Sequence, residues 1–348
     1  MGVAVAGAIA HVRAAGYCDR EALKPMSSSA LFRGASLTKP IVALTVLAMR
    51  DHGCLSLDDA VSSYLPFFKP ALPNGGVPVI TLRHLLTHSS GLGYDYPQDP
   101  DITTGMSDTN ADLKSTLERI VDQPLHFRPG TGWKYSVASD VLGAVAAVIE
   151  GPAVEDAIRK YVTGPLGMED TSFSARDPSR LAIPYADGPS GPVRMGEPHM
   201  MRDRDGDTLI FSPRRVFNHR AFQSGGSGIV TTVPDYLKLM TCIQSGGAPL
   251  LGGQSMRAAI GNQLTHLPNC VGPGGSFSFL GKVTTDPQRG NAYWSTGTNS
   301  WGGAYGHVWA LDPHKDVAIV SMTNTALFGG EGRFIRELFE ATFMETRR

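Results

Sequence analysis

What this sequence of 348 residues has little of narrows its function before any motif is found. Neither sign of charge is in excess. Lysine plus arginine number 31 and aspartate plus glutamate 32, for a net charge of -1, so no basic surface argues for nucleic acid or an anionic membrane as partner. No uninterrupted apolar run reaches the roughly 18 residues that a membrane helix needs. The 4 cysteines, Cys18, Cys54, Cys242 and Cys270, are scattered, with no C-x-x-C pair and no histidine cluster beside them. That argues against a disulfide framework or a zinc site and for free, buried thiols. There is no G-x-S-x-G nucleophile elbow: GASLT (34–38) ends in Thr38, and GGSGI (225–229) is out of register. His84 and His88 have the spacing of a metal pair, but Leu85 stands where the zincin motif needs glutamate, so packing and helix capping account for them. QSGGSGIVTT (223–232) lacks the Gly-Lys-Ser/Thr ending of a phosphate loop. No metal and no cofactor is expected, no internal repeat is present, and nothing in the sequence sets an oligomeric state.

What is present reads as a globular chain. At 42% apolar and 18% charged residues it is neither disordered nor membrane-spanning, and it is long enough for a large core. The opening MGVAVAGAIAHVRAAGY has no basic start and only a short apolar run. It reads as a hairpin over 3–14 turning at Ala6-Gly7 rather than a signal peptide, which makes a cytoplasmic location the default. Helices are expected over 36–53, 55–68, 81–92 (stopped by Gly91), 112–123, 137–151, 154–168, 233–246 and the amphipathic C-terminal stretch. Residues 94–109, 173–222 and 247–290 read as loops. Two strand-like runs, 293–313 and 315–324, meet at Asp312-Pro313-His314-Lys315. Strands at both chain ends and helices between them predict an α+β architecture: an antiparallel sheet built from both termini, flanked by helices, plus a mainly helical lobe. We expect a single unit over 1–348, with a sheet lobe of 1–35 plus 223–348 and a helical lobe of 36–222.

The chemistry concentrates in RGASLTKPIVALTVLAMRDHG (33–53). Ser36 and Lys39 are three apart, on one helical face, ahead of an apolar run. A helix N-terminus and partial burial both disfavour an ammonium, which favours an amine able to take a proton. The same helix end favours a developing alkoxide and offers a free backbone N–H to an oxyanion. Acyl transfer, with Ser36 attacking a carbonyl and Lys39 accepting its proton, fits this pairing. Taken alone, Ser36 also reads as an N-cap and Lys39 as a lysine reaching solvent.

Three further segments decide between these readings. HLLTHSSGLG (84–93) follows the Ser36 segment, GWKYSVASDVLG (132–143) sets Tyr135 just before a helix, and NSWGGAYGHVW (299–309) breaks a strand-like run with glycines. In this order and at these separations the set resembles the serine β-lactamase and penicillin-binding-protein superfamily, and within it the class C-like carboxylesterases of family VIII. The resemblance covers residues 3 to 340 and implies a β-lactamase/transpeptidase-like fold. It implies Ser36 as nucleophile, Lys39 as its proton partner, and Tyr135 as the group that shares the proton and passes it to the leaving group. Trp301-Gly302-Gly303 would stand where relatives have Lys-Thr-Gly, and the backbone N–H groups of Ser36 and Ala304 would form an oxyanion hole. By glycine content alone, 301–303 reads as a bulge in an edge strand. His307 reads either as a pocket contact or as a cross-strand surface residue. Tyr94, Tyr96, Trp133 and Trp301 are candidates for an acyl pocket.

Two departures bear on the substrate. Class C β-lactamases have Tyr-x-Asn, whereas Val137 occupies the third position here and cannot bond an amide. Trp301 replaces the lysine of the third motif, removing a cation and adding an apolar wall. The resemblance therefore implies a small-molecule partner, a neutral ester with a short to medium acyl chain. The alternatives are a D-amino acid amidase or peptidase, an acyltransferase, a weak β-lactamase, or a non-catalytic penicillin-recognising protein. Relatives usually carry a helix and a full first strand before the point where this chain begins, so the cover of the sheet edge is expected to differ.

Overall fold

The first two strands, β1 (Gly2–Val5) and β2 (Ala8–Val12), pair through the expected turn, where Ala6 and Gly7 take φ values of 49° and 72°. Positive φ at both central residues is what a tight hairpin needs. In this computed structural model residues 1–96, 99, 102–103, 105–202, 206, 208–330 and 332–344 are described. Of the expected loops, residues 97, 98, 100, 101, 104, 203–205 and 207 lie outside that set, as do 331 and 345–348 of the C-terminal stretch.

Five late strands complete the sheet: β3 (Gly275–Phe277), β4 (Lys282–Thr284), β5 (Asn299–Gly303), β6 (His307–Asp312) and β7 (Val317–Met322). The order is β3-β4-β5-β6-β7-β1-β2 and every neighbouring pair is antiparallel. The sheet therefore closes the two chain ends on each other through β1 and β7, as expected. All of β6 and β7 is buried, because helices cover both faces. Among the described residues the helices are α1 (Thr38–Asp51), α2 (Leu82–Leu86), α3 (Leu113–Val121), α4 (Ala138–Glu150), α5 (Val154–Ile158), α6 (Val233–Gln244), α7 (Gly253–Ile260) and α8 (Gly332–Met344). The main core joins α1, α4, α6 and one sheet face, while Phe339 and Phe343 of α8 pack with Val308, Ala310 and Ile319 on the other. The fold is α+β, of the β-lactamase/transpeptidase type.

Five expectations are corrected. Residues 55–68 are not a helix but a single turn at Val61–Ser63, pinned from outside by Val61 N donating to Ile80 O at 2.8 Å. Proline at 66 and 70 leaves no room for a longer run. The helix expected over 81–92 stops at Leu86, because His88 takes φ 53° and the chain turns back well before Gly91. The loop expected over 247–290 contains α7, β3 and β4, and two small hairpins of strands at 185–194 and 199–211 lie in the excursion over 173–222. Residues 293–313 are not one broken strand: β5 and β6 are joined by a turn at 304–306, and β5 lies inside the sheet, unbulged, between β4 and β6. All four cysteines are free thiols, Cys18 and Cys242 buried, Cys54 and Cys270 half-buried. No helix of the described residues is long and apolar enough to cross a membrane.

Candidate active site

Ser36 does not cap α1. It lies on a 3-10 turn, Ala35–Leu37, that leads into the helix, and no side chain caps either element. The preceding Ala35 is fully buried at φ 44°, a left-handed conformation that a non-glycine residue adopts only where its surroundings impose it. Those surroundings are visible. Gly34 N donates to Ile229 O at 2.8 Å, the Thr38 hydroxyl donates to Ala35 O at 2.7 Å and accepts from Ile229 N at 3.2 Å, and the Tyr236 hydroxyl donates to Leu37 O at 3.1 Å. The serine is thus presented, half-buried, on a turn bolted to the segment over 226–236.

Lys39 points inward and is 6% exposed. Its Nζ donates to Ser36 Oγ at 3.2 Å and to Gly226 O at 2.8 Å. It also lies over the ring faces of Tyr135 (4.6 Å to the centroid) and Tyr94 (5.4 Å). Ring faces attract a cation without accepting its proton, so the amine is held while its partners remain weak acceptors. The carboxylate that acts on it is Asp140, buried in α4. Asp140 Oδ1 accepts from the Ser224 hydroxyl at 2.6 Å and from Gly226 N at 3.3 Å, so Gly226 links carboxylate and amine through its own peptide groups. Burial pushes the Asp140 carboxyl above the usual range, against the lowering effects of the Ser224 bond and of Lys39. A Cβ on Gly226 would lie 2.5 Å from Asp140 Oδ2 and 3.3 Å from the Tyr94 hydroxyl, which explains a glycine there.

Tyr135 reaches the site because residues 134–137 lie against 88–93. Lys134 N donates to His88 O at 3.0 Å, Val137 N to Gly93 O at 3.4 Å, and His88 Nδ1 meets the Ser136 hydroxyl at 3.1 Å. The phenol ring is clasped by His88 (4.9 Å), Trp301 (5.0 Å) and Tyr94 (5.6 Å), and its hydroxyl accepts from Trp301 Nε1 at 3.1 Å. His88 is buried, and desolvation, aided by the Lys39 charge, lowers its pKa to about 3, so the imidazole is a neutral brace. His84 completes a capping box with Thr81 at the start of α2. Both histidines therefore pack and cap.

The third wall is β5. A Cβ on Gly303 would lie 2.5 Å from Gly34 O, and one on Gly302 would lie 2.7 Å from His307 O. Only glycine lets this strand close on the serine turn. Ala304 follows, half-buried against the cluster that contains Ala35 and Tyr305. His307 is neither a pocket contact nor a surface residue. It is 1% exposed, its Nε2 lies 2.9 Å from Arg33 O, and burial lowers its pKa to about 4, so the neutral ring donates to that carbonyl and ties β6 to the segment before Ser36.

A narrow cavity beside these groups is lined by Lys39, His88, Tyr135, Phe277, Leu280 and Trp301. Of the pocket candidates, Trp301 faces this cavity, Trp133 packs on Phe277 at 5.6 Å, and Tyr94 packs on Tyr135. The Tyr96 hydroxyl donates to Gly93 O at 3.3 Å, and Val137 is buried at the head of α4. Sequence reasoning missed Asp140, Phe277 and Leu280. Asp140 left a signal, as the one acid inside the apolar run 137–149.

A serine and lysine three apart, a tyrosine from a second segment and a glycine strand closing from a third, set against an antiparallel sheet, define the penicillin-recognising class of serine enzymes. The chain belongs to the Beta-lactamase family, whose model matches residues 1–338. It is 39% identical over 350 residues to esterase EstB of Burkholderia gladioli, covering 98% of this chain and 89% of that one. The solved structure of EstCE1, a hydrolase with promiscuous acyltransferase activity, matches with a TM-score of 0.93 at 33% identity, over 98% of this chain and 92% of the other. Simvastatin synthase (LovD) of Aspergillus terreus shares the fold, with a TM-score of 0.73 at 20% identity over 99% and 92% of the two chains. The resemblance to the esterase branch of this superfamily is borne out, and the protein is an enzyme of the serine hydrolase class.

Proposed function

We propose that this enzyme is a carboxylesterase that hydrolyses neutral esters of short to medium acyl chains through an acyl-enzyme on Ser36. The observation that carries the reading is the 3.2 Å contact between Lys39 Nζ and Ser36 Oγ in a buried site where Lys39 has no carboxylate hydrogen-bond partner among the described residues. With the amine neutral, that hydrogen bond reverses and Lys39 takes the hydroxyl proton as Oγ attacks the ester carbonyl. The oxyanion is met by the backbone N–H groups of Ser36 and Ala304. Tyr135 gives its phenolic proton to the departing alkoxide, and the proton taken up by Lys39 replaces it; the 4.6 Å contact with the ring face holds the amine and carries no proton. The alcohol leaves, and water attacks the acyl-enzyme with the same groups in reverse order. Trp301 and Val137 support the substrate class, since neither presents a cation or an amide partner to a penicillin or peptide. The esterase and hydrolase names of the two relatives matched over nearly the whole chain support it as well.

Specificity constants for p-nitrophenyl butyrate and nitrocefin on one preparation test the substrate class, and nitrocefin as the better substrate would overturn it. A fluorophosphonate probe read by mass spectrometry tests the nucleophile, with label expected at Ser36. Transfer to an alcohol is a second reading, favoured by the acyltransferase activity named for EstCE1. Ester product formed in the presence of added alcohol separates transfer from hydrolysis.

A further inference from the structure

On the far side of the serine turn lies a second cavity, of about 40 Å³, whose lining includes Arg33, Met106, Ser212, Arg215, Phe222 and Tyr305. It contains two arginines that are almost wholly buried, Arg33 at 9% and Arg215 at 8% exposure. Buried arginines are nearly always matched by acids. These are not. Arg33 donates from Nε to Pro213 O at 2.8 Å and from Nη1 to Ala182 O at 2.9 Å. Arg215 donates from Nη1 to Ser107 O and from Nη2 to Phe222 O, both at 2.7 Å, with its guanidinium 4.7 Å from the Phe222 ring centroid. Every acceptor is a main-chain carbonyl, and each guanidinium keeps unused donors.

The acids whose fields reach the pair are engaged elsewhere. Glu197, acting on Arg33, accepts from Arg214 N at 2.6 Å. Asp140 and Asp108, acting on Arg215, accept from Ser224 and from Asn218 Nδ2. Burial alone is the leading influence on both guanidiniums, and it works against their charge. Tyr305 borders the same cavity, is 6% exposed, and its hydroxyl makes no hydrogen bond among the described residues.

We propose that this cavity is a binding site for one small monovalent anion, a halide or a short carboxylate such as formate or acetate, held by Arg33, Arg215 and the Tyr305 hydroxyl. The chemistry follows from the inventory. Two buried cations with spare donors and one phenolic O–H border a space suited in charge and size to a small anion. Arg33 and Arg215 also stitch the excursion over 173–222 to the body, through Ala182, Pro213 and Ser107. Neutralising them strengthens that seam. Tyr305 is the residue after Ala304, so the site adjoins the strand wall of the active site without using any of its chemical groups.

The test is thermal unfolding against sodium chloride, formate and acetate, with ionic strength held constant by gluconate, a bulky and weakly coordinating anion. A saturable rise in Tm is expected, about 2 °C at roughly ten times the dissociation constant. Chloride NMR of the same protein should show line broadening that formate removes. If formate leaves it, the site is selective for halide, which still supports the proposal. Arg215→Met should abolish both responses, and Ser36→Ala should keep them, because the site is independent of the chemistry at the serine. Should Arg215→Met fail to fold, the wild-type titration and NMR decide. No saturable anion dependence beyond the gluconate control, or broadening undiminished in a folded Arg215→Met, would overturn the proposal.

Discussion

The indole Nε1 of Trp301 donates a hydrogen bond to the hydroxyl of Tyr135 at 3.1 Å, joining two residues that are 166 positions apart in sequence. Phe277 braces the indole edge-on at 5.5 Å and 87°, so the donor is fixed in direction. Trp301 thus places a neutral N–H beside the phenol and adds an apolar surface. Trp301→Phe keeps the ring and removes the donor. Because a neutral hydrogen bond is worth about 1 kcal/mol, kcat/KM for p-nitrophenyl butyrate should fall about fivefold with Tm nearly unchanged. An unaltered kcat/KM would mean that the bond does not position the phenol.

The paired donor and acceptor at 3.2 Å make Ser36 and Lys39 one chemical unit. Ser36→Ala should remove nearly all turnover while circular dichroism shows the fold retained. Lys39→Ala should be almost as severe, and the double variant no worse than either, because cooperating groups are not additive. Additive losses in single-turnover assays would argue that the two act in separate steps.

Gly303→Ala tests the closure of β5 on the serine turn. The new Cβ would meet Gly34 O at 2.5 Å, and that oxygen is main chain and cannot swing aside. Overpacking of this kind costs about 1–3 kcal/mol. A lower Tm and a loss of kcat greater than any change in KM are the expected pair. An active, equally stable variant would show that the contact is not tight.

Two buried neutral histidines set an acid limit on stability. His88 and His307 have pKa values lowered to about 3 and about 4, from 6.5 in an open chain, chiefly by burial. The unfolded chain therefore binds more protons than the folded one between pH 4 and pH 6.5, so stability is full above 6.5 and declines as pH falls through that window. The loss for His307 is on the order of 3 kcal/mol by the foot of the window. Denaturant unfolding at a series of pH values should show the slope, and His307→Gln should flatten it. A wild-type curve flat down to pH 4 would place a charged imidazole in the folded state.

Much of this was legible from local pattern. The hairpin at Ala6-Gly7 follows from turn chemistry, and α1, α4 and α6 follow from apolar runs with clear stops. What was not legible was held from outside. β3 and β4 are three residues each, too short to show alternation, and exist because β5 offers β4 a ladder and β4 offers one to β3. Residues 55–68 have helical spacing, but their internal bonds close only short turns while Val61 N is drawn to Ile80 O. His307 carries no local sign of burial, which comes from the Arg33 carbonyl and the Phe32 ring on a strand far away in sequence.

The amino-acid sequence by itself determined the chemical kinds present at the site: a hydroxyl and an amine one helical turn apart, a phenol ahead of a helix, glycines in a strand. Spacing of a few residues fixes such neighbours, because backbone geometry leaves them little choice. Tertiary structure alone decided that the indole of one segment bonds the phenol of another, that Asp140 reaches Lys39 through Gly226, and that two arginines lie buried without an acid. Those relationships depend on long-range packing, in which each group takes the partners that the rest of the fold leaves within reach.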